Sequence, residues 1–289
     1  MPYGATGNRP TTWPYNGKTT YPHGWSRRDW QTRGVQRSAV RPSPVFLGIL
    51  VLAIAGGLLI VFGGDPTGSP NAAVKGGTFL MVLAGWGVSL CLHEFGHAFV
   101  AYRGGDREVY FKGYLTLDPR RYTDPVFSLL LPLLILAIGG IPLPGGAVWI
   151  NHHALRSKKI ESLVSLAGPL LNLVLGGLLI AAVTIFQPTF WLAAALSYLA
   201  LLQIFAFILN ILPIPGLDGW GAIEPFLQPE AQRFGAKARP WAPLILFACL
   251  IGIPAIGYAF SDFAYNVFGL IGGIPGMASV GGSAFRFWN

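Results

Sequence analysis

His93, Glu94 and His97 stand in the run His-Glu-Phe-Gly-His within an apolar stretch from Leu80 to Ala101. Two imidazoles four residues apart lie one turn apart on one face of a helix, so both can reach a single zinc ion at about 2.0–2.1 Å. Glu94 is offset from His93 by about 100° and is aimed at water beside the metal rather than at the metal itself. Zinc lowers the pKa of such a water towards about 7, and Glu94 can take its proton as it attacks a carbonyl, then return it to the leaving amine. An ionisable side chain inside an apolar span costs at least ~2.5 kcal/mol, so three of them mark function. Two hydrogen-bonded core histidines are the plainer alternative, but that leaves the buried Glu94 without a role.

A hydrolytic zinc site needs a third protein ligand and one open position. Asp218 is the candidate. It stands in the run Asn210-Ile211-Leu212-Pro213-Ile214-Pro215-Gly216-Leu217-Asp218-Gly219, in which two prolines break a helix and two glycines let the backbone fold closely. Taken alone, Asp218-Gly219 reads better as an ordinary turn at the end of a span.

Together these motifs resemble the site-2 protease family of intramembrane zinc metalloproteases. The family's H-E-x-G-H matches His93 to His97, its N-x-x-P-x-P-x-L-D-G matches Asn210 to Gly219, and its A-G-P-x-x-N matches Ala167-Gly168-Pro169-Leu170-Leu171-Asn172. The likeness runs from about Trp86 to Pro225, through Leu115-Thr116-Leu117-Asp118-Pro119, Asp124-Pro125 and Pro142-Leu143-Pro144 to Asn151, and is nearest the compact bacterial branch. The resemblance implies one Zn²⁺ held by His93, His97 and Asp218, with Glu94 catalytic. It places Asn172 at the site, holding a substrate carbonyl or oxyanion, while an interhelical hydrogen bond explains the same residue equally well. Trp220 stands where the family usually has a second glycine, and its bulk could narrow the approach to the metal. An inserted PDZ domain and a C-terminal CBS pair are not expected.

The elements that position these residues follow from composition. With 53% hydrophobic and 11% charged residues, and a mean hydropathy of +0.53, the chain departs from soluble domains, which are roughly a quarter charged. Apolar runs at 45–63, 77–102, 162–186, 190–212 and 241–261 are long enough to cross a bilayer core of about 30 Å, and a shorter one lies at 126–141. The expected fold is an all-α polytopic membrane protein with about five to six transmembrane helices, a re-entrant segment and a small β-hairpin. Cys91 and Cys249 both fall in apolar runs, so neither a disulfide framework nor a cysteine zinc site is expected.

Residues 1–44 read as a disordered basic tail carrying Arg9, Lys18, Arg27, Arg28, Arg33, Arg37 and Arg41 against the single acid Asp29. They supply much of the net charge of +8 and place the N-terminus in the cytoplasm of a multi-pass plasma-membrane protein. Contact with anionic lipid accounts for such a tail better than nucleic acid does, since no nucleic-acid module surrounds it. No cleavable signal peptide is expected, because the first long apolar run starts only near Val45. Residues 45–262 form the metalloprotease domain, and 263–289 a Gly-rich tail.

The shared metal constrains the path. If the N-terminus is inside, the first span runs outward and the second returns, leaving His97 near the cytoplasmic end. Asp218 must lie in that leaflet, so residues 103–160 begin and end inside and 126–141 becomes a re-entrant hairpin broken by Pro132, Gly139, Gly140, Pro142 and Pro144. Arg103, Arg107, Arg120, Arg121, Arg156, Lys158 and Lys159 then also fall inside. Val109 to Leu117, around Lys112-Gly113, could form a hairpin; the resemblance implies one that offers a strand edge to substrate, while the sequence alone fits an ordinary surface hairpin at least as well. His152 and His153 read as loop residues. The expected activity is peptide-bond hydrolysis in or near a membrane-spanning substrate, and the resemblance implies that it serves regulated intramembrane proteolysis. The rival is a non-hydrolytic metal-binding membrane protein, a transporter or degenerate scaffold, although the chain lacks the paired repeats of transporters.

Overall fold

The computed structural model describes residues 40–64, 68–122, 130–137 and 148–288. The basic segment 1–39, Asp124-Pro125, and Gly139 to Pro144 lie outside the described residues.

Among the described residues, four helices have the length and apolarity to cross a membrane: α1 (Pro44–Gly63), α2 (Ala72–Gly104), α5 (Lys158–Phe186) and α6 (Phe190–Ile211). Their ends are set by local chemistry. The Ser43 hydroxyl accepts from the Phe46 amide at the start of α1, with Pro44 in the first turn, where no amide partner is needed. Asn71 caps α2 by accepting from Val74 N, and its own amide donates to Gly63 O, which joins the end of α1 to the start of α2. Gly56 and Gly77 let the two helices touch backbone to backbone, since a Cβ on Gly56 would lie 2.5 Å from Met81 N and one on Gly77 2.8 Å from Gly56 O.

The central helix is α6. Of its most apolar stretch 83% is buried, against 17% for α1, so α1 faces outward while α6 is enclosed by α1, α2, α5 and the C-terminal helices. Trp86 and Leu90 of α2, Leu201 and Ile204 of α6, and Phe268 and Phe285 form the main core. The tail proves to be part of it: α11 (Pro275–Phe285) packs on α6 and α2, with Phe285 stacked on Phe79 at 5.3 Å.

Two expectations change in detail. Among the described residues there is no strand, and Val109 to Leu117 is not a hairpin. Glu108–Phe111 makes a single turn, α3, followed by a 3₁₀ turn at Tyr114–Thr116. Gly113 sits at φ 76° and Leu117 at φ 56°, and the amides of Lys112, Gly113 and Thr116 bond carbonyls three or four residues back, leaving no free edge for pairing. The run 241–261 is not one helix. Ile253, extended as a residue before proline tends to be, divides α9 (Ala242–Gly252) from α10 (Pro254–Leu270). Instead α9 forms a bent pair with the polar helix α8 (Pro229–Ala238), at 58°, giving up to five spans if that pair is one. Within 126–141, the described part is a seven-residue helix, α4 (Leu131–Ala137), too short to cross a bilayer at 1.5 Å per residue. It packs on α2.

Cys91 is fully buried, and neither cysteine is bonded to the other. The Arg156 amide donates to Gly104 O at 3.2 Å, so the segment leaving α2 returns to the same end of the bundle before α5 begins.

Candidate metal centre

The centre lies where α2, α5 and a short helix after α6 meet. His93, Glu94 and His97 are all buried on α2, although that helix is the least apolar of the four. The chain leaves α6 at Leu212, turns through Pro213, Pro215 and Gly216 (φ 97°), and enters α7 (Asp218–Ile223) with Asp218 in its first turn. Gly219 makes this return tight enough, since a Cβ there would lie 2.1 Å from Ile211 O. The Asn210 side chain bonds back to Ala206 O at 3.1 Å and so belongs to the end of α6.

The donor atoms converge. His93 Nε2 and His97 Nε2 are 3.1 Å apart, and the Asp218 carboxylate oxygens lie 3.1 Å from the first and 3.5 Å from the second. Donors bonded tetrahedrally at about 2.0–2.1 Å are separated by roughly 3.3–3.4 Å, so the three fit one face of a zinc tetrahedron. His93 Nδ1 donates to Asn172 Oδ1 at 2.7 Å, and His97 Nδ1 donates to Val164 O at 2.7 Å. In its neutral form each ring would keep its hydrogen on Nδ1 and leave an Nε2 lone pair free to face inward. Asp218 Oδ2 is buried, with His93 Nε2 at 3.1 Å as its polar neighbour. A single cation would satisfy three donor atoms that meet this closely, and two imidazoles with one carboxylate suit zinc.

Glu94 also offers an oxygen, its group with His93 and His97 falling within 4.8 Å. Asp218 lies closer, its carboxylate oxygens being 3.1 and 3.5 Å from the two Nε2 atoms. Glu94 Oε2 accepts from the Val148 amide at 3.1 Å. That amide belongs to a stretch anchored at Asn151, whose backbone N–H donates to Asp106 and whose side chain donates to Glu108. Burial pushes the Asp106 carboxyl above the usual carboxylate range, opposed by hydrogen bonds from the Asn151 and Glu108 amides.

Gly168, in the Ala167-Gly168-Pro169 run, was not singled out by its type. A Cβ there would lie 2.3 Å from His97 Nε2 and 2.5 Å from His93 Nε2, inside the coordination shell. Only glycine lets α5 lie this close to the donors. Gly96 serves the same crossing from α2, where a Cβ would meet Ala167 O at 3.0 Å. Asn172 has both ends of its amide engaged, Oδ1 by His93 and Nδ2 by Gln203 Oε1 at 3.3 Å, so the structure displays the interhelical bond of its two readings. The Trp220 ring lies against Gly235 of α8, where a Cβ would meet it at 2.4 Å. His152 pairs with Glu161 at 2.8 Å in a 3₁₀ turn and joins no second metal cluster among the described residues.

No family model and no solved structure matches the chain. Among curated proteins it is 47% identical over 257 residues to "Putative zinc metalloprotease Rip2" of Mycolicibacterium smegmatis, covering 88% of this chain and 96% of that one. It is 48% identical over 258 residues to the protein of the same name in Mycobacterium tuberculosis, covering 88% and 97%. To "Putative zinc metalloprotease YwhC" of Bacillus subtilis it is 30% identical over 187 residues, covering 59% and 80%.

Proposed function

The chain belongs to the site-2 protease family of zinc metalloproteases, and from that premise we propose that it hydrolyses peptide bonds within, or at the cytoplasmic edge of, membrane-spanning segments of other proteins. The observation that carries this reading is the meeting of His93, His97 and Asp218 beside Glu94 on α2, a helix apolar enough to cross the bilayer. One Zn²⁺ per chain would be held by those three residues. When bound, zinc polarises the scissile carbonyl and acidifies water. Glu94 takes a proton from the attacking water and passes it to the amine nitrogen, so hydroxyl ends on the carbonyl carbon and hydrogen on the leaving amine.

The site faces the end of the bundle where Gly104 and Arg156 meet, an end rich in Arg and Lys, which supports a cytoplasmic opening in the plasma membrane and a cytoplasmic N-terminus. Release of a membrane-tethered factor by regulated intramembrane proteolysis is the corresponding cellular role. Reconstitution with a single-span substrate in lipid vesicles tests the proposal, with fragments mapped by mass spectrometry. Cuts are expected within the span or within a few residues of its cytoplasmic end. Cleavage confined to soluble peptides would contradict it.

A further inference from the structure

Gln203 lies in the middle of α6, the most enclosed of the long helices, and is only 1% exposed. Core packing gives no reason for an amide there, and burying one without partners costs free energy. Beside it, an apolar cavity of about 350 Å³ between α1, α2, α5 and α6 is lined by residues such as Leu50, Ile54, Met81, Leu175 and Leu199. Ser89 and Gln203 are the polar residues of that lining, so their hydrogen bonds must be made with each other and with the helices behind them.

Those bonds lead to the metal centre. The Ser89 hydroxyl donates to Gln203 Oε1. The same oxygen accepts from Asn172 Nδ2 at 3.3 Å, and Asn172 Oδ1 accepts from His93 Nδ1 at 2.7 Å. We infer that Gln203, held by Ser89, is a positioning residue for His93 and acts through the orientation of the Asn172 amide. An asparagine amide has two nearly isosteric orientations. With Oδ1 towards His93, Nδ1 keeps the hydrogen and Nε2 is free to bind metal. The flipped amide would present Nδ2, move the ring hydrogen to Nε2 and block that ligand. An acceptor on the far side of Asn172 selects the first orientation, and Gln203 Oε1 is that acceptor. Polar chains of this type behave as units, so the effect of Gln203 should vanish once Asn172 is gone.

The inference rests on His93 being a zinc ligand. Zinc affinity of the full-length detergent-purified protein, measured by competition with a chromophoric chelator, separates the two ideas. If the wild type binds no zinc, the reading of the metal centre fails. If it binds zinc, Gln203→Leu is expected to weaken binding about 10–100-fold, the range for outer-shell partners of metal-bound histidine, and Ser89→Ala by less. In an Asn172→Ala background, Gln203→Leu should add less than about two-fold. Wild-type affinity in Gln203→Leu, or an equal loss with and without Asn172, would overturn the inference. Should Gln203→Leu not fold, Gln203→Met replaces it. Misfolding of both while Asn172→Ala folds would assign Gln203 to helix packing instead.

Discussion

Glu94→Gln will lower peptide-bond cleavage by about 10²–10⁴-fold, the range for a positioned general base, while zinc content stays at the wild-type level. Glutamine has nearly the shape of glutamate, and its carbonyl can still accept the Val148 amide that now meets Glu94 at 3.1 Å. What it lacks is the capacity to take a proton from water. Because His93, His97 and Asp218 converge without Glu94, the metal should not follow the activity. Loss of zinc together with activity would make Glu94 a ligand and Asp218 something else. Metal analysis of the purified variant beside a cleavage assay distinguishes the two.

Gly168→Ala should abolish zinc binding, exceeding the roughly 10–100-fold losses typical of outer-shell changes. The added methyl would lie 2.3 and 2.5 Å from the two Nε2 atoms, closer than real carbon contacts allow. The backbone of α5 has little freedom to retreat, since Asn172 and Val164 on the same helix hold the two histidines from behind. Gly177→Ala is the matched control: it lies on the same helix, a Cβ there meets nothing within 4 Å, and it should keep full zinc binding. Equal zinc affinity in both alanine variants would show that α5 does not approach the donors as described.

The chemistry was legible in the sequence where periodicity alone decides it. Spacing four places His93 and His97 on one face, and the prolines after Asn210 announce the end of a helix, but Asp218 by itself reads as a turn residue and became a candidate ligand only through the family resemblance. Residues whose role depends on how two helices cross were not legible. Gly168 reads as a small residue in an apolar run until α2 is laid against α5. Gln203 did leave a signal, a lone amide in the middle of the run 190–212, but its partners Ser89 and Asn172 are distant in sequence. The hairpin expected at Val109 to Leu117 failed because β-branched and aromatic residues describe a surface, whereas the left-handed backbone at Gly113 and Leu117 winds the chain into turns. The interruption at Ile253 was visible as Pro254, but hydropathy averaged over twenty residues conceals a single proline.

We propose that His93, His97 and Asp218 jointly hold the zinc on which cleavage of a membrane-embedded protein depends. The most direct test is a zinc titration of metal-stripped protein reconstituted in vesicles with a single-span substrate. Cleavage should be absent at the start, rise with added zinc and level off at one equivalent per chain, while Asp218→Ala gives no cleavage over the same range. Cleavage by metal-stripped protein, or an unchanged titration in Asp218→Ala, would contradict the account.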